Sequence, residues 1–336
     1  MMTTVILLFL GVALLFYVLL GGADFGAGII ELFTGKKGID VISKVIAPVW
    51  EANHVWLIVV IVILFMGFPS VYSTITLTLH IPLLVLLIGI ILRGASFTFR
   101  YYDIREEKVT SVYTVFFKVS SLFTPMFLGI TLGAVILGRI TTDMTESFYR
   151  VFIYPWLNVF SFSVGLFTVI LFTFLASLYL LGEARNKADI DLFLRYSRIM
   201  AISLVVSGAV VFAAGEIDGL HLLQEFIRSP VSMGSIGMAT LLLPFLWISI
   251  HRHNVLWIRL VAGAQTLLVL LGWFAIQYPV LVNLSNEADI TVQLAQAPEN
   301  TMYQLMMALI VGLLLVIPAL IYLFKVFKFD KGEADY

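Results

Sequence analysis

Nine apolar runs, each long enough to cross a bilayer as a helix of about 20 residues, dominate the chain. They lie at 4–30, 45–67, 74–99, 112–138, 150–181, 198–220, 231–250, 255–277 and 302–326. Such runs leave few folds open, because backbone N–H and C=O groups in hydrocarbon must be satisfied within a helix or a closed barrel. A barrel would show alternating segments of about 10 residues, whereas these runs are continuous stretches of Leu, Ile, Val and Phe. With 61% hydrophobic and 12% charged residues, the 336-residue chain also has too little polar surface for a soluble globule. The reading is an all-α polytopic membrane protein with nine transmembrane helices. Met1-Met2-Thr3-Thr4 lacks the basic start of a signal peptide, so the first run is expected to stay as helix 1.

The basic residues orient this topology. Of 20 Lys and Arg, fifteen fall in loops on one side, and Arg139, Arg150 and Arg228 fall on the other. The positive-inside rule puts the first side in the cytoplasm, with the N-terminus outside and the C-terminus inside. Trp247, Trp257, Trp156 and Trp273 fall near helix ends, as an interfacial belt requires, whereas Trp56 lies deep in helix 2 and is expected to pack against protein. The two remaining cations, Arg93 and Lys118, fall inside helices 3 and 4.

Charges inside a span are costly, and by default they mark an ion or proton pathway or a buried ion pair. Helix 1 carries Asp24 within Gly21-Gly22-Ala23-Asp24-Phe25-Gly26-Ala27-Gly28, and helix 2 carries Glu51 within Trp50-Glu51-Ala52-Asn53-His54-Val55-Trp56. At about 1.5 Å per residue, Asp24, Glu51, Arg93 and Lys118 share one depth near the cytoplasmic face. Pro48 suits the first turn of helix 2, and Glu51 and His54, like Trp50 and Asn53, are three residues apart on one helical face. Gly22 and Gly26 form a small-xxx-small pair that admits a neighbouring backbone, and with Gly28 they read as packing positions, so Asp24 is expected to face protein. Two uses of this layer stay open. One is a relay in which the acids take up and pass on protons. The other is a structural set of ion pairs with Arg93 and Lys118, whose long stems could also snorkel to the interface.

Other motifs are weaker. The absence of cysteine excludes disulfides, thiolate metal sites, iron–sulfur clusters and covalently attached haem. Glu216, Asp218 and Glu225 with His221 read as a solvated outer loop, and 283–300 as another. Of five histidines, His54 and His80 lie within predicted helices. No phosphate loop, nucleophile elbow or zinc motif is evident, and no metal site, nucleic-acid surface or catalytic residue is assigned to the chain.

The Asp24 and Glu51 motifs, with Leu92-Arg93-Gly94-Ala95-Ser96-Phe97-Thr98-Phe99-Arg100, closely resemble subunit II of the cytochrome bd quinol oxidases. The likeness extends more loosely through Glu216-Ile217-Asp218-Gly219 and the helix around Pro318. It implies two four-helix bundles, 1–138 and 139–277, followed by 278–336 with an outer loop, a peripheral ninth helix and a cytoplasmic tail. It implies a heterodimer with a larger subunit I in a prokaryotic cytoplasmic membrane, with room left for a small single-helix subunit. Subunit I would hold haem b558, haem b595 and haem d together with the quinol site, and would reduce oxygen to water. The same resemblance assigns Asp24 to a proton path from the cytoplasm and makes Glu51 the next candidate, with Trp50, Asn53, His54, Arg93, Arg100 and Lys118 as the supporting polar layer. Two positions depart from some relatives, which have an aspartate at Gly21 and a glutamine at His54. The alternatives are a proton-coupled secondary transporter and a purely structural assembly partner. A transporter would show paired broken helices in two repeats, and the Asp24 motif has no counterpart in helices 5 to 8.

Overall fold

A computed structural model describes residues 2–34, 41–42, 50–102, 107–285 and 288–326. Helix α1 (Met2–Phe16) passes through one π-helical turn (Tyr17–Gly21) into α2 (Gly22–Thr34), making one span of 33 residues. The other long helices are α3 (Trp50–Gly67), α5 (His80–Tyr102), α6 (Glu107–Leu137), α8 (Val159–Glu183), α9 (Lys187–Ile217), α11 (Pro230–His251), α12 (Val255–Gln277) and α14 (Glu299–Phe324). Shorter pieces are α4 (Pro69–Thr78), α7 (Phe148–Phe152), α10 (Leu222–Arg228) and α13 (Val292–Ala295), with strands β1 (Val280–Val282) and β2 (Ile290–Thr291). Among the described residues eight helices are long and apolar enough to cross a membrane, and α3 with α4 forms a ninth candidate, bent by 114°.

Three predicted runs need correction. The run at 74–99 is cut at Leu79, and its first part belongs to α4, which turns away from α3. Proline explains both corners. Pro69 disfavours a helical conformation at Phe68, which adopts φ −135°, ψ 62° and buries its ring fully. Pro82 has no N–H to offer the Thr78 carbonyl, so α4 ends there. His80 accordingly sits exposed as the first residue of α5, its Nδ1 2.9 Å from the Leu77 carbonyl. The run at 150–181 becomes α7, a turn, and then α8, capped by Asn158 accepting from the Ser161 N–H at 2.8 Å. The run at 198–220 starts eleven residues early, at Lys187, because Asn186 caps the Asp189 N–H. Polar residues on its first turns, Asp191 and Arg195 among them, hid that start.

Several buried hydroxyls in the spans are satisfied within their own helix. Ser121, Thr124, Thr131, Thr168 and Thr173 each donate to the carbonyl four residues back, so no polar group faces hydrocarbon unpaired at those positions. Helix α2 packs on α6 and α8, α5 on α6, α8 on α9, and α11 on α12. Helix α14 lies along α1 and α3, where Met302 and Leu305 join Ile6 in the core, while Leu314, Leu315 and Ile321 stay exposed.

The polar stretch 283–300 is more than a loop. β1 and β2 pair antiparallel, and Asn283 donates to the Ile136 carbonyl at 2.9 Å while the Ser285 N–H bonds the Ile140 carbonyl at 2.8 Å. Asp218, expected on a solvated face, is instead a staple. Its side chain is 10% exposed, accepts from Arg139 at 2.8 Å and caps the Phe160 N–H at 2.8 Å, fastening the ends of α6, α8 and α9 together. Glu216 and Glu225 remain exposed, and among the described residues no cluster of three metal-ligating side chains occurs.

Candidate functional site: two tiers of buried ion pairs

The glycines of the first motif set the geometry. A Cβ at Gly26 would overlap the Phe172 carbonyl of α8, and one at Gly28 would overlap the Ser121 hydroxyl of α6. With Gly22 set under the Phe172 ring, α2 is drawn close to both neighbours. Asp24 therefore faces protein and is 3% exposed.

Arg93 of α5 closes on Asp24 with a bidentate pair, Nη2 to Oδ1 at 2.7 Å and Nη1 to Oδ2 at 2.8 Å. The guanidinium has further partners. Nη2 also donates to the Asp24 backbone carbonyl at 3.0 Å, and Nε donates to Ser121 Oγ at 3.2 Å. Its carbon lies 4.6 Å from the centre of the Phe25 ring and 5.1 Å from that of Phe117. A cation 1% exposed in a membrane span is thus neutralised, hydrogen-bonded and packed on two aromatic faces. Arg93 does not snorkel.

The second tier lies seven residues further along α2, about 10 Å at helical rise. Glu31, fully buried, accepts from Arg100 Nη1 at 2.8 and 3.0 Å and lies 3.6 Å from Lys118 Nζ. Arg100 also lies over Phe117, at 5.0 Å. The single-layer expectation is therefore corrected: Lys118 pairs with Glu31, not with the depth of Asp24. Glu31 lies just past the apolar run 4–30, where a carboxylate at a span boundary looks solvated. A signal was present. Asp24 to Arg93 and Glu31 to Arg100 are both 69 residues apart, and each helix repeats its charge at a spacing of seven, which returns to the same helical face.

The second motif contributes around this core. Asn53 is 4% exposed, and Trp56, also 4% exposed, stacks on Phe16 at 4.5 Å, as its depth required. The His54 ring sits edge-on to Phe25, centres 5.6 Å apart. Helix α3 begins at Trp50, but the side chains of Trp50 and Glu51 lie outside the described residues, as does Pro48. Phe25 thus touches both Arg93 and His54, and it joins the ion pair to the second motif.

Comparison with known proteins identifies the family. The family described as cytochrome bd terminal oxidase subunit II matches residues 2–327. Subunit 2 of the cytochrome bd ubiquinol oxidase of Bacillus subtilis is 32% identical over 192 residues, covering 54% of this chain and 55% of that protein. Subunit 2 of the Escherichia coli K12 cytochrome bd-I ubiquinol oxidase is 26% identical over 133 residues, 39% of this chain and 35% of that protein. The matched stretches thus span about half or less of these curated relatives. The bd oxidase structure from Geobacillus thermodenitrificans superposes with a TM-score of 0.80 at 20% identity, over 98% of this chain and 99% of that one, and so shares the fold. With a family match that runs almost end to end, the chain belongs to the cytochrome bd terminal oxidase subunit II family.

Proposed function

We propose that this chain is the subunit of a quinol-oxidising, oxygen-reducing membrane complex that carries no haem itself, holds the haem-bearing subunit I in place and helps supply protons to it from the cytoplasm. The complex would sit in a prokaryotic cytoplasmic membrane with the C-terminus inside, in line with the distribution of Lys and Arg. The histidines support placing haem b558, haem b595 and haem d on the partner. His80, His221, His251 and His253 are exposed, and His54 is wedged against Phe25.

The observation that carries the proton-supply role is the second set of partners around Arg93. Protonating Asp24 would remove the charge that balances a buried guanidinium, and breaking such a pair costs about 3–5 kcal/mol when the remaining ion is stranded. Arg93 is not stranded. The Asp24 backbone carbonyl, Ser121 Oγ and two ring faces remain when the carboxylate is neutral. Asp24 could thereby take up a proton while the guanidinium stays in place. The bidentate closure of the pair favours a second reading, in which Asp24 only balances charge and the chain serves assembly alone.

Purification tests the subunit role. The tagged chain should emerge with a haem-containing subunit, and its deletion should abolish the membrane's haem d spectrum. Recovery of the chain alone, with that spectrum unchanged in the deletion strain, would sink the oxidase assignment and reopen the transporter reading.

A further inference from the structure

Two polar atoms beside the Asp24–Arg93 pair have no partner among the described residues. Tyr17 Oη and His54 Nδ1 are each shielded from solvent and make no hydrogen bond. Tyr17 is 1% exposed, and its ring centre lies 6.4 Å from that of His54. Burying a hydroxyl without a partner is costly, so two such atoms on neighbouring rings call for a ligand. Trp56 Nε1 is also unpartnered, and its ring stacks on Phe16.

The backbone is built around Tyr17. The π-helical turn Tyr17–Gly21 places an extra residue in the turn, a device frequent at functional sites. It stacks the Tyr17 ring directly over Gly21, where a Cβ would lie 3.1 Å from two ring carbons. The same ring neighbours α3, with the His54 ring centre 6.4 Å away. From there the contacts run on: His54 meets Phe25 at 5.6 Å, and Phe25 lies under the Arg93 guanidinium at 4.6 Å.

We infer that the π turn creates an internal water site, in which one or two water molecules bridge Tyr17 Oη and His54 Nδ1 next to the Asp24–Arg93 pair. The chemistry fits water. A tyrosine hydroxyl donates and accepts, an imidazole nitrogen does either according to tautomer, and a buried water seeks two to four such partners. An apolar occupant would leave both atoms unsatisfied. This site rests on the proton-supply reading for its purpose, because it would keep a mobile proton carrier within reach of Asp24 at a depth where the walls are phenylalanine.

Cryo-electron microscopy of the assembled wild-type complex, at a resolution that shows ordered water, is the direct test. Density within hydrogen-bonding distance of both atoms is the expected result, whereas a dry contact or an acyl chain there would overturn the site. Tyr17→Phe keeps the ring and removes the hydroxyl. It should lose that density and slow quinol oxidase turnover about three- to tenfold, the loss of one modest hydrogen bond converted to rate. Gly21→Ala, which crowds the ring, should act in the same direction. Full turnover in Tyr17→Phe alongside slowed turnover in Glu51→Gln would overturn the water site alone. Unimpaired turnover in Glu51→Gln and Asp24→Asn with the density intact would instead overturn the proton-supply reading.

Discussion

The two buried tiers are built from the same parts and differ in how each carboxylate is held. Asp24 has one cation, and that cation has other partners in Ser121, a backbone carbonyl and two aromatic rings. Glu31 has two cations, Arg100 and Lys118, whose side chains are 9% and 16% exposed. On the proton-supply reading the upper tier, Asp24 with Arg93, would lose a charge and keep its geometry. In the lower tier the carboxylate is locked between two cations, and either one can hold it when the other is lost. The comparison teaches that a buried ion pair need not have one purpose: surplus partners on the cation suit proton transfer, and surplus cations on the acid suit fixing a helix end.

Variants can break this comparison in a graded way. Arg93→Met should have the largest effect, because it strands Asp24 at 3% exposure and costs about 3–5 kcal/mol. Its readout is loss of assembled complex, or a strongly lowered thermal midpoint in detergent. Pairing it with Asp24→Leu, which removes the stranded charge, should recover much of the loss. Gly28→Val should follow, at about 1–3 kcal/mol of overpacking. It pushes α6 off α2 at Ser121 and so disturbs the upper tier without touching a charge.

The lower tier should yield less and show redundancy. Arg100→Met or Lys118→Met alone should cost about 1–3 kcal/mol or less, since the other cation stays on Glu31. The double variant should cost clearly more than the sum, as neighbours sharing one partner do. Strict additivity in thermal midpoints would show that the two cations do not share Glu31. Ser121→Ala should be the mildest, about 0.5–1.5 kcal/mol, and should lower turnover more than stability if Ser121 holds Arg93 while Asp24 is neutral.

Much of this was legible in the sequence. The apolar runs located the spans, the glycine spacing put Asp24 against protein, and the depth of Trp56 predicted its burial. The corners at Phe68 and Leu79 were not read, because an apolar count does not register where Pro69 and Pro82 interrupt a helix. Glu31 was missed because length alone cannot say whether a carboxylate at a helix end meets water or Arg100, although the repeated spacing of seven on α2 and α5 carried that information. Asp218 was misread for the same reason, since its partners Arg139 and the Phe160 N–H are distant in sequence. The π turn leaves no periodic trace, and only the packing of Tyr17 over Gly21 reveals it.

The account stands most directly on Asp24 as a residue that takes up and releases a proton. Asp24→Asn keeps the shape and an acceptor for Arg93 but cannot carry the proton. Reconstituted in liposomes with its partner, the variant complex should keep its full haem content while quinol-driven turnover and membrane-potential generation fall together. Unchanged turnover and potential in that variant would contradict the account and leave Asp24 as a structural counter-charge to Arg93.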